Sequence, residues 1–398
     1  MKKPPVTVAR RMDRLPPYLF GQINAAKIAK RRDGVDIIDL GMGNPTDPTP
    51  EPIVEKLREA ARDPRNHRYS VSIGVPNLRA EVARLYRRYW RVKLDPAKEV
   101  VACIGSKEGF SHLCLALLGS GDTCLVPTPA FPIHVHSAAM TGANVIRVPL
   151  APNARFLAKM VDLAKHITPR PKLAVLNYPH NPTTRTVDLD FFREVVRIAR
   201  RHDIMLIHDF AYGLTTFGGY KAPSLLQVRG AKDVAVEFFT MSKAWNMAGW
   251  RVGFAVGNRR MLQALSAVKG YYDYGMFQAI QIAAIIGMRT CDEHVAKQAA
   301  IYQSRRDVLC RHLHRIGWPV RRPKASMFVW APIPKTFRKM GSMDVAMRLL
   351  EEANVAVAPG IGFGEEGEGH LRIALVENEQ RLTQAVRQIG RAVRDWDV

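Results

Sequence analysis

Seven short apolar runs, most of them followed by a stretch of helical periodicity, occupy the middle of this 398-residue chain. They are VVACIG (100–105), TCLVP (123–127), NVIRVPL (144–150), KLAVLNYP (172–179), IMLIHDF (204–210), VEFFTMS (236–242) and RVGFAVG (251–257). Runs that are apolar at almost every position suit strands covered on both faces, because strict alternation is expected only where one face is wet. Strands that alternate with helices are joined by right-handed crossovers and therefore lie parallel. The pattern predicts an α/β fold on a mostly parallel, seven-stranded sheet. Between the runs, LDFFREVVRIARRHD (189–203) reads as a helix whose acidic start and basic end complement the peptide dipoles.

The ends of the chain read differently. Its length exceeds what one apolar core usually supports, so two domains are expected. Residues 1–45 carry many prolines and little periodicity. A helical pattern at about 293–316 is followed by ASMFVWAPI (325–333), another helix, NVAVAPG (354–360) and HLRIAL (370–375), an α+β pattern with short strands. The expected division is 1–47, an N-terminal arm with part of a small domain; 48–292, a large ligand-binding domain; and 293–398, a small C-terminal domain. GIGFGEEGEGH (360–370) reads as a mobile loop.

Composition narrows the partners. Fifty-nine basic against thirty-six acidic residues give a net charge of +23. Such a balance can serve nucleic acid or acidic ligands. Here the basic residues are scattered in pairs such as Arg31-Arg32, Arg200-Arg201 and Arg321-Arg322, with no nucleic-acid motif beside them. A solvated basic surface without a nucleic-acid partner is the expectation. No apolar run is long enough to span a bilayer, and MKKPPVTVARRMDR lacks the apolar stretch of a signal peptide. Five cysteines without metal-ligand spacing fit buried thiols in a reducing compartment, the cytoplasm.

In an open parallel sheet, ligands bind beyond the carboxyl ends of the strands. Gly105, Ser106 and Lys107 stand there at the start of a helix, whose free N–H groups suit an anion. Phe131, Asn181, Asp209 and Tyr212 follow later strands, and Thr240, Ser242, Lys243 and Arg251 come at the last turn. Each alone has an ordinary explanation as a turn former, helix cap or solvent-facing side chain. Together they supply an anion cradle, a flat ring, an amide, a carboxylate, a phenol and a lysine. Pyridoxal 5'-phosphate, a phosphorylated aromatic aldehyde that condenses with a lysine, uses all of them. Lys243 would bind the aldehyde and shuttle a proton, and Asp209 would keep the pyridine nitrogen protonated. Asn181 and Tyr212 would donate to the phenolate oxygen, and Phe131 would stack on the ring. Ser106, Lys107, Ser242 and Arg251 would hold the phosphate. His202, Asp203, His208 and Asp209 could suggest a metal, but the two pairs fall at opposite ends of one strand, so no metal site is expected.

Order and spacing sharpen this. The segment FFTMSKAWNMAGWRVGFAVGN (238–258) resembles the lysine signature of class I/II aminotransferases, which are fold-type I pyridoxal-phosphate enzymes. The likeness extends through LGMGNPTDPTP (40–50), HRYSVSIGVPNLR (67–79), IGSKEG (104–109), PAFP (129–132), NYPHNPT (177–183), HDFAY (208–212) and HLRIAL (370–375). It implies that Arg372 binds the substrate α-carboxylate, with Gly43 close to it, and that Tyr69 reaches the cofactor phosphate of a neighbouring subunit. A homodimer with shared active sites follows from that. DRLPPYLF (13–20), YYDYGMF (271–277), PKASMFVW (323–330) and VAPGIGFG (357–364) are more narrowly similar to bacterial glutamate–pyruvate aminotransferases. That likeness would place Tyr18 on a segment closing over the substrate. It implies the exchange of alanine and 2-oxoglutarate for pyruvate and glutamate, with diaminopimelate, aspartate and methionine-like substrates as alternatives. Two departures bear on substrate: Phe131 stands where tyrosine is usual, and Ile73 where a basic residue is frequent. The scaffold also hosts lyases. A pyridoxal-phosphate sensor fused to a DNA-binding module would need a helix-turn-helix ahead of the sheet, and residues 1–45 show none.

Overall fold

The computed structural model describes residues 7–17 and 19–396. Seven strands form the large sheet: β2 (Val100–Ile104), β3 (Thr123–Thr128), β4 (Asn144–Pro149), β5 (Pro171–Asn177), β6 (Met205–Asp209), β7 (Ala235–Thr240) and β8 (Val252–Gly257). Their spatial order is β2-β8-β7-β6-β5-β3-β4, with β8 running against both of its neighbours and the other pairs parallel. The predicted mostly parallel seven-stranded sheet is therefore present. The central strands β7 and β8 are buried at every position. The run at 144–150 departs from that expectation: β4 is an edge strand and only Val148 in it is buried.

Smaller strands come from both chain ends. β1 (Ile38–Asp39) pairs in parallel with β10 (Val355–Ala356), while β9 (Phe328–Pro332), β11 (Ala358–Pro359) and β12 (His370–Ala374) form an antiparallel sheet. Leu40 ties the two together, donating its N–H to Ala356 O and accepting from Ala374 N, both at 2.8 Å. One apolar cluster accordingly joins Ile38 and Leu40 to Phe328, Val355, Leu371 and Ile373.

Two regions differ from the sequence reading. Residues 1–45 contain a helix, Leu19–Arg32, whose inward side carries Ile23 and the buried Lys27. A lysine on the buried side breaks the apolar stripe by which such a helix is recognised. The segment 360–370 is two packed 3-10 turns rather than a mobile loop. Gly360 and Gly367 approach so closely that a Cβ on Gly360 would lie 1.9 Å from Gly367 O, and Phe363 is buried with its carbonyl accepting from Ala130 N at 2.8 Å. Among the described residues no helix is long and apolar enough to cross a membrane.

Candidate active site

A cavity of about 320 Å³ opens at the carboxyl ends of β2, β5, β6 and β7, with Phe328, Phe363 and Arg372 of the smaller body on its wall and Ile23, Asn24 and Lys27 of the N-terminal helix at its edge. Pockets of this size commonly hold small ligands. At its floor, β2 is followed by Gly105, whose φ of +75° lets the helix Ser106–Leu117 begin at once. The guanidinium of Arg251 lies against that turn: a Cβ on Gly105 would stand 2.3 Å from Arg251 Nη2, and one on Gly253 would stand 2.4 Å from Ser106 N. Two glycines thus bring an arginine and a helix N-terminus together, with Ser106, Lys107 and Ser242 on the same wall. The Thr240 hydroxyl lies 2.9 Å from Ser242 Oγ and 2.8 Å from Val252 O, which fixes the turn before Lys243. Such a cradle suits a phosphate.

Across the cavity stands Lys243, its Nζ donating to Gly43 O at 2.7 Å. Burial first, then the positive charges of Arg372 and Arg251, push its pKa down from 10.5 to about 8, with Asp209 pulling the other way. An amine so placed is partly a free base, and therefore nucleophilic, near neutral pH. Asp209 ends β6 with Oδ2 2.9 Å from Nε2 of the buried His134, and its Oδ1 accepts from Ala211 N at 3.3 Å. Burial pushes the Tyr212 phenol up, so it is a proton donor at neutral pH, and its ring meets Phe328 edge-on at 5.7 Å.

Arg372 donates to Asn181 Oδ1 at 2.8 Å and to Gly41 O at 2.9 Å. Its guanidinium carbon lies 4.1 Å from the Phe328 ring centroid and 4.7 Å from that of Phe363. Gly43 is needed beside it, because a Cβ there would come within 2.5 Å of the Phe328 ring. Asn181 is itself held, its N–H bonding Asn177 Oδ1 at 2.8 Å while Asn177 Nδ2 donates to Asp209 O at 2.7 Å. Lys107 Nζ sits 5.9 Å from the centre of the Phe131 ring.

Most of the residues singled out from sequence therefore meet in one cavity. Tyr69 does not: it is 93% exposed and stacks edge-on with Tyr274 at 5.6 Å, away from the cavity of its own chain. Tyr18 lies outside the described residues. Sequence reasoning missed His134, Phe328 and Phe363. His134 could have been found, since it stands one helical turn after Phe131 in a helix opened by Pro132. The two phenylalanines sit in ordinary apolar contexts and gave no signal.

Cavity and donor set fit pyridoxal phosphate: an anion cradle into which a Cβ could not be added, a lysine with a lowered pKa, and a carboxylate held by a buried histidine. Comparisons with known proteins agree. The model of the family described as aminotransferase class I and II matches residues 35–389. The chain is 49% identical to the glutamate–pyruvate aminotransferase of Escherichia coli, over 95% of this chain and 92% of that one. It is 42% identical to the LL-diaminopimelate aminotransferase of Moorella thermoacetica, over 97% and 98%. Among solved structures, substrate-bound BacF from Bacillus subtilis superposes with a TM-score of 0.90 at 35% identity, covering 97% of this chain and 98% of that chain. The maleate complex of Thermus thermophilus aspartate aminotransferase gives 0.88 at 28%, covering 97% and 100%. The chain belongs to the class I and II aminotransferases, fold-type I enzymes that depend on pyridoxal phosphate and move an amino group between an amino acid and a 2-oxo acid.

Proposed function

We propose that this aminotransferase interconverts alanine and 2-oxoglutarate with pyruvate and glutamate. The observation that carries the site assignment is Lys243 Nζ, lowered to about 8 and facing Arg372 and Asp209 across one cavity. Pyridoxal phosphate, when bound, supplies an aldehyde and an electron-withdrawing ring. Ser106, Lys107, Ser242, Arg251 and the helix start at Gly105 would hold its phosphate, with Thr240 bracing Ser242. Asp209, steadied by His134, would keep the ring nitrogen protonated. Asn181 and Tyr212 would donate to the phenolate oxygen, and Phe131 would cover the ring. Lys243 Nζ carries the proton to and from the substrate α-carbon. Arg372 takes the α-carboxylate beside Gly43, in a bidentate geometry that a lysine cannot reproduce.

In this reading residues 48–292 hold the cofactor, 293–398 bring Arg372, and 1–47 supply the arm, including Tyr18. Two copies form a cytoplasmic homodimer, and the exposed Tyr69 serves the neighbouring site. Support for the substrate comes from the Escherichia coli relative, matched along nearly its whole length. A second reading, diaminopimelate as amino donor, is favoured by relatives of 40–42% identity. A panel of amino donors in single turnover, followed by the cofactor's absorbance, separates them. Alanine and glutamate should each convert the bound aldehyde to the amine form. Conversion by LL-diaminopimelate, aspartate or methionine alone removes the alanine assignment and leaves the aminotransferase intact.

A further inference from the structure

Beneath the cavity, on the opposite face of the large sheet, lies a polar cluster that the proposed chemistry does not use. Successive residues of a strand point to opposite faces, so Asp209 faces the cavity while His208 packs between Phe192 and Phe210, with ring centroids at 5.0 and 5.1 Å. Its neighbour across the ladder is Glu237 of β7, and both side chains are 0% exposed. Glu237 Oε1 accepts from Tyr86 OH at 2.9 Å and Ser224 Oγ at 2.7 Å. Oε2 accepts from Leu225 N at 2.8 Å and lies 2.8 Å from His208 Nδ1. A carboxylate encircled in this way acts as acceptor only, so Nδ1 carries the proton. The other ring nitrogen, Nε2, then meets the backbone of Tyr178, 3.1 Å from its carbonyl and 3.2 Å from its amide nitrogen.

Tyr178 follows Asn177, whose side chain already ties Asp209 O to Asn181 N on the same turn. The turn that presents Asn181 is thus pinned by Asn177 and, from below, by the His208–Glu237 pair. Replacing a buried polar pair with apolar side chains of similar shape is often neutral or stabilising, so stability alone gives weak reason for one here. We propose that His208 and Glu237 are positioning residues: through Tyr178 they hold Asn181 in the place where it meets Arg372 and the cofactor. This rests on the roles proposed above for Asn181 and Arg372.

The test uses the holoenzyme and two readouts: the pH midpoint of its visible absorbance, and KM against kcat for alanine and glutamate. Asn181→Ala should raise the midpoint by about one unit or more, because a donor to the deprotonated ring oxygen is lost. Glu237→Gln should move it the same way by about half a unit, and raise both KM values severalfold with a smaller fall in kcat. Val195→Ala, in the core on the same side, should lower Tm and leave both readouts unchanged. If Glu237→Gln does not accumulate as folded holoenzyme, His208→Gln is judged by the same criteria. Loss of Tm with wild-type midpoint and KM in whichever variant folds overturns the proposal. An unmoved midpoint and KM in Asn181→Ala overturns the assignment of Asn181, and the linkage with it.

Discussion

Two lysines of this protein are withdrawn from water into surroundings of opposite charge. Lys243 faces two guanidinium groups and a single carboxylate, and its pKa falls to about 8. Lys269 is 0% exposed and sits between Glu108 and Asp273, with Nζ–O distances of 3.2 and 3.0 Å. There burial is outweighed by the two carboxylates, and its pKa is raised. Glu108, Asp273 and His112 lie close enough together to hold a metal ion, but the Lys269 ammonium already stands among them. Burial makes a lysine reactive only where the neighbouring charge does not compensate it. The same residue type is partly a free amine in one place and a structural cation in the other.

The largest contrast should appear on removing each lysine. Lys243→Ala should lower turnover by at least about a thousandfold, since it removes the nucleophile and proton carrier proposed above. Lys269→Met should instead destabilise the fold by about 3–5 kcal/mol, by leaving Glu108 and Asp273 side by side without their buried cation. Its folded fraction should still take up cofactor with the visible band. Thermal denaturation and steady-state rates on both variants check this, and a folded but colourless Lys269→Met would collapse the distinction.

A smaller effect is expected at the one carboxylate that does face Lys243. Asp209→Ala should keep some cofactor and lose about a hundredfold in turnover, the scale of one preorganised charge interaction. Near wild-type turnover would mean that the ring nitrogen has another partner.

The smallest effect is a shift in pH. The rate at which apoprotein takes up pyridoxal phosphate should follow the free amine and rise with pH through a midpoint near 8. Arg372→Gln removes one of the depressing charges and should move that midpoint up by about one unit or less. A midpoint near 10 in the unaltered protein would show an ordinary lysine. The same lowering has a consequence for stability. Between about 8 and 10.5 the folded chain holds fewer protons on Lys243 than the unfolded chain does, so this group makes the apoprotein more stable as pH rises through that window.

The large sheet and its site were legible because the strands that bear the site are short apolar runs followed by polar residues. Asp209, Lys243 and Ser106 stand at those ends. The helix Leu19–Arg32 was not legible, because Lys27 is buried by pairing with Asp39 at 2.6 Å, a partner twelve positions away that no periodicity reveals. The turns at 360–370 were misread for a related reason. Glycine and glutamate suggest solvent, whereas here the glycines permit backbone contact and Glu368 accepts from Ser342 N and Oγ. Phe328 and Phe363 join the cavity wall only through where Arg372 lies, and that is a property of the folded chain.

The parallel pairing of β1 with β10 bears on how the protein comes off the ribosome. The backbone of residues 38–40 finds its ladder partners in residues 354–356 and 374. That segment must therefore wait until residue 354 has been added to the chain. The cradle between Gly105 and Gly253, proposed above to take the phosphate, draws only on residues ahead of that point. The Gly41–Arg372 contact at 2.9 Å, by contrast, joins residues from the two sides of that point. A product truncated ahead of residue 354 would keep every residue of that cradle and lack Arg372, the proposed carboxylate clamp.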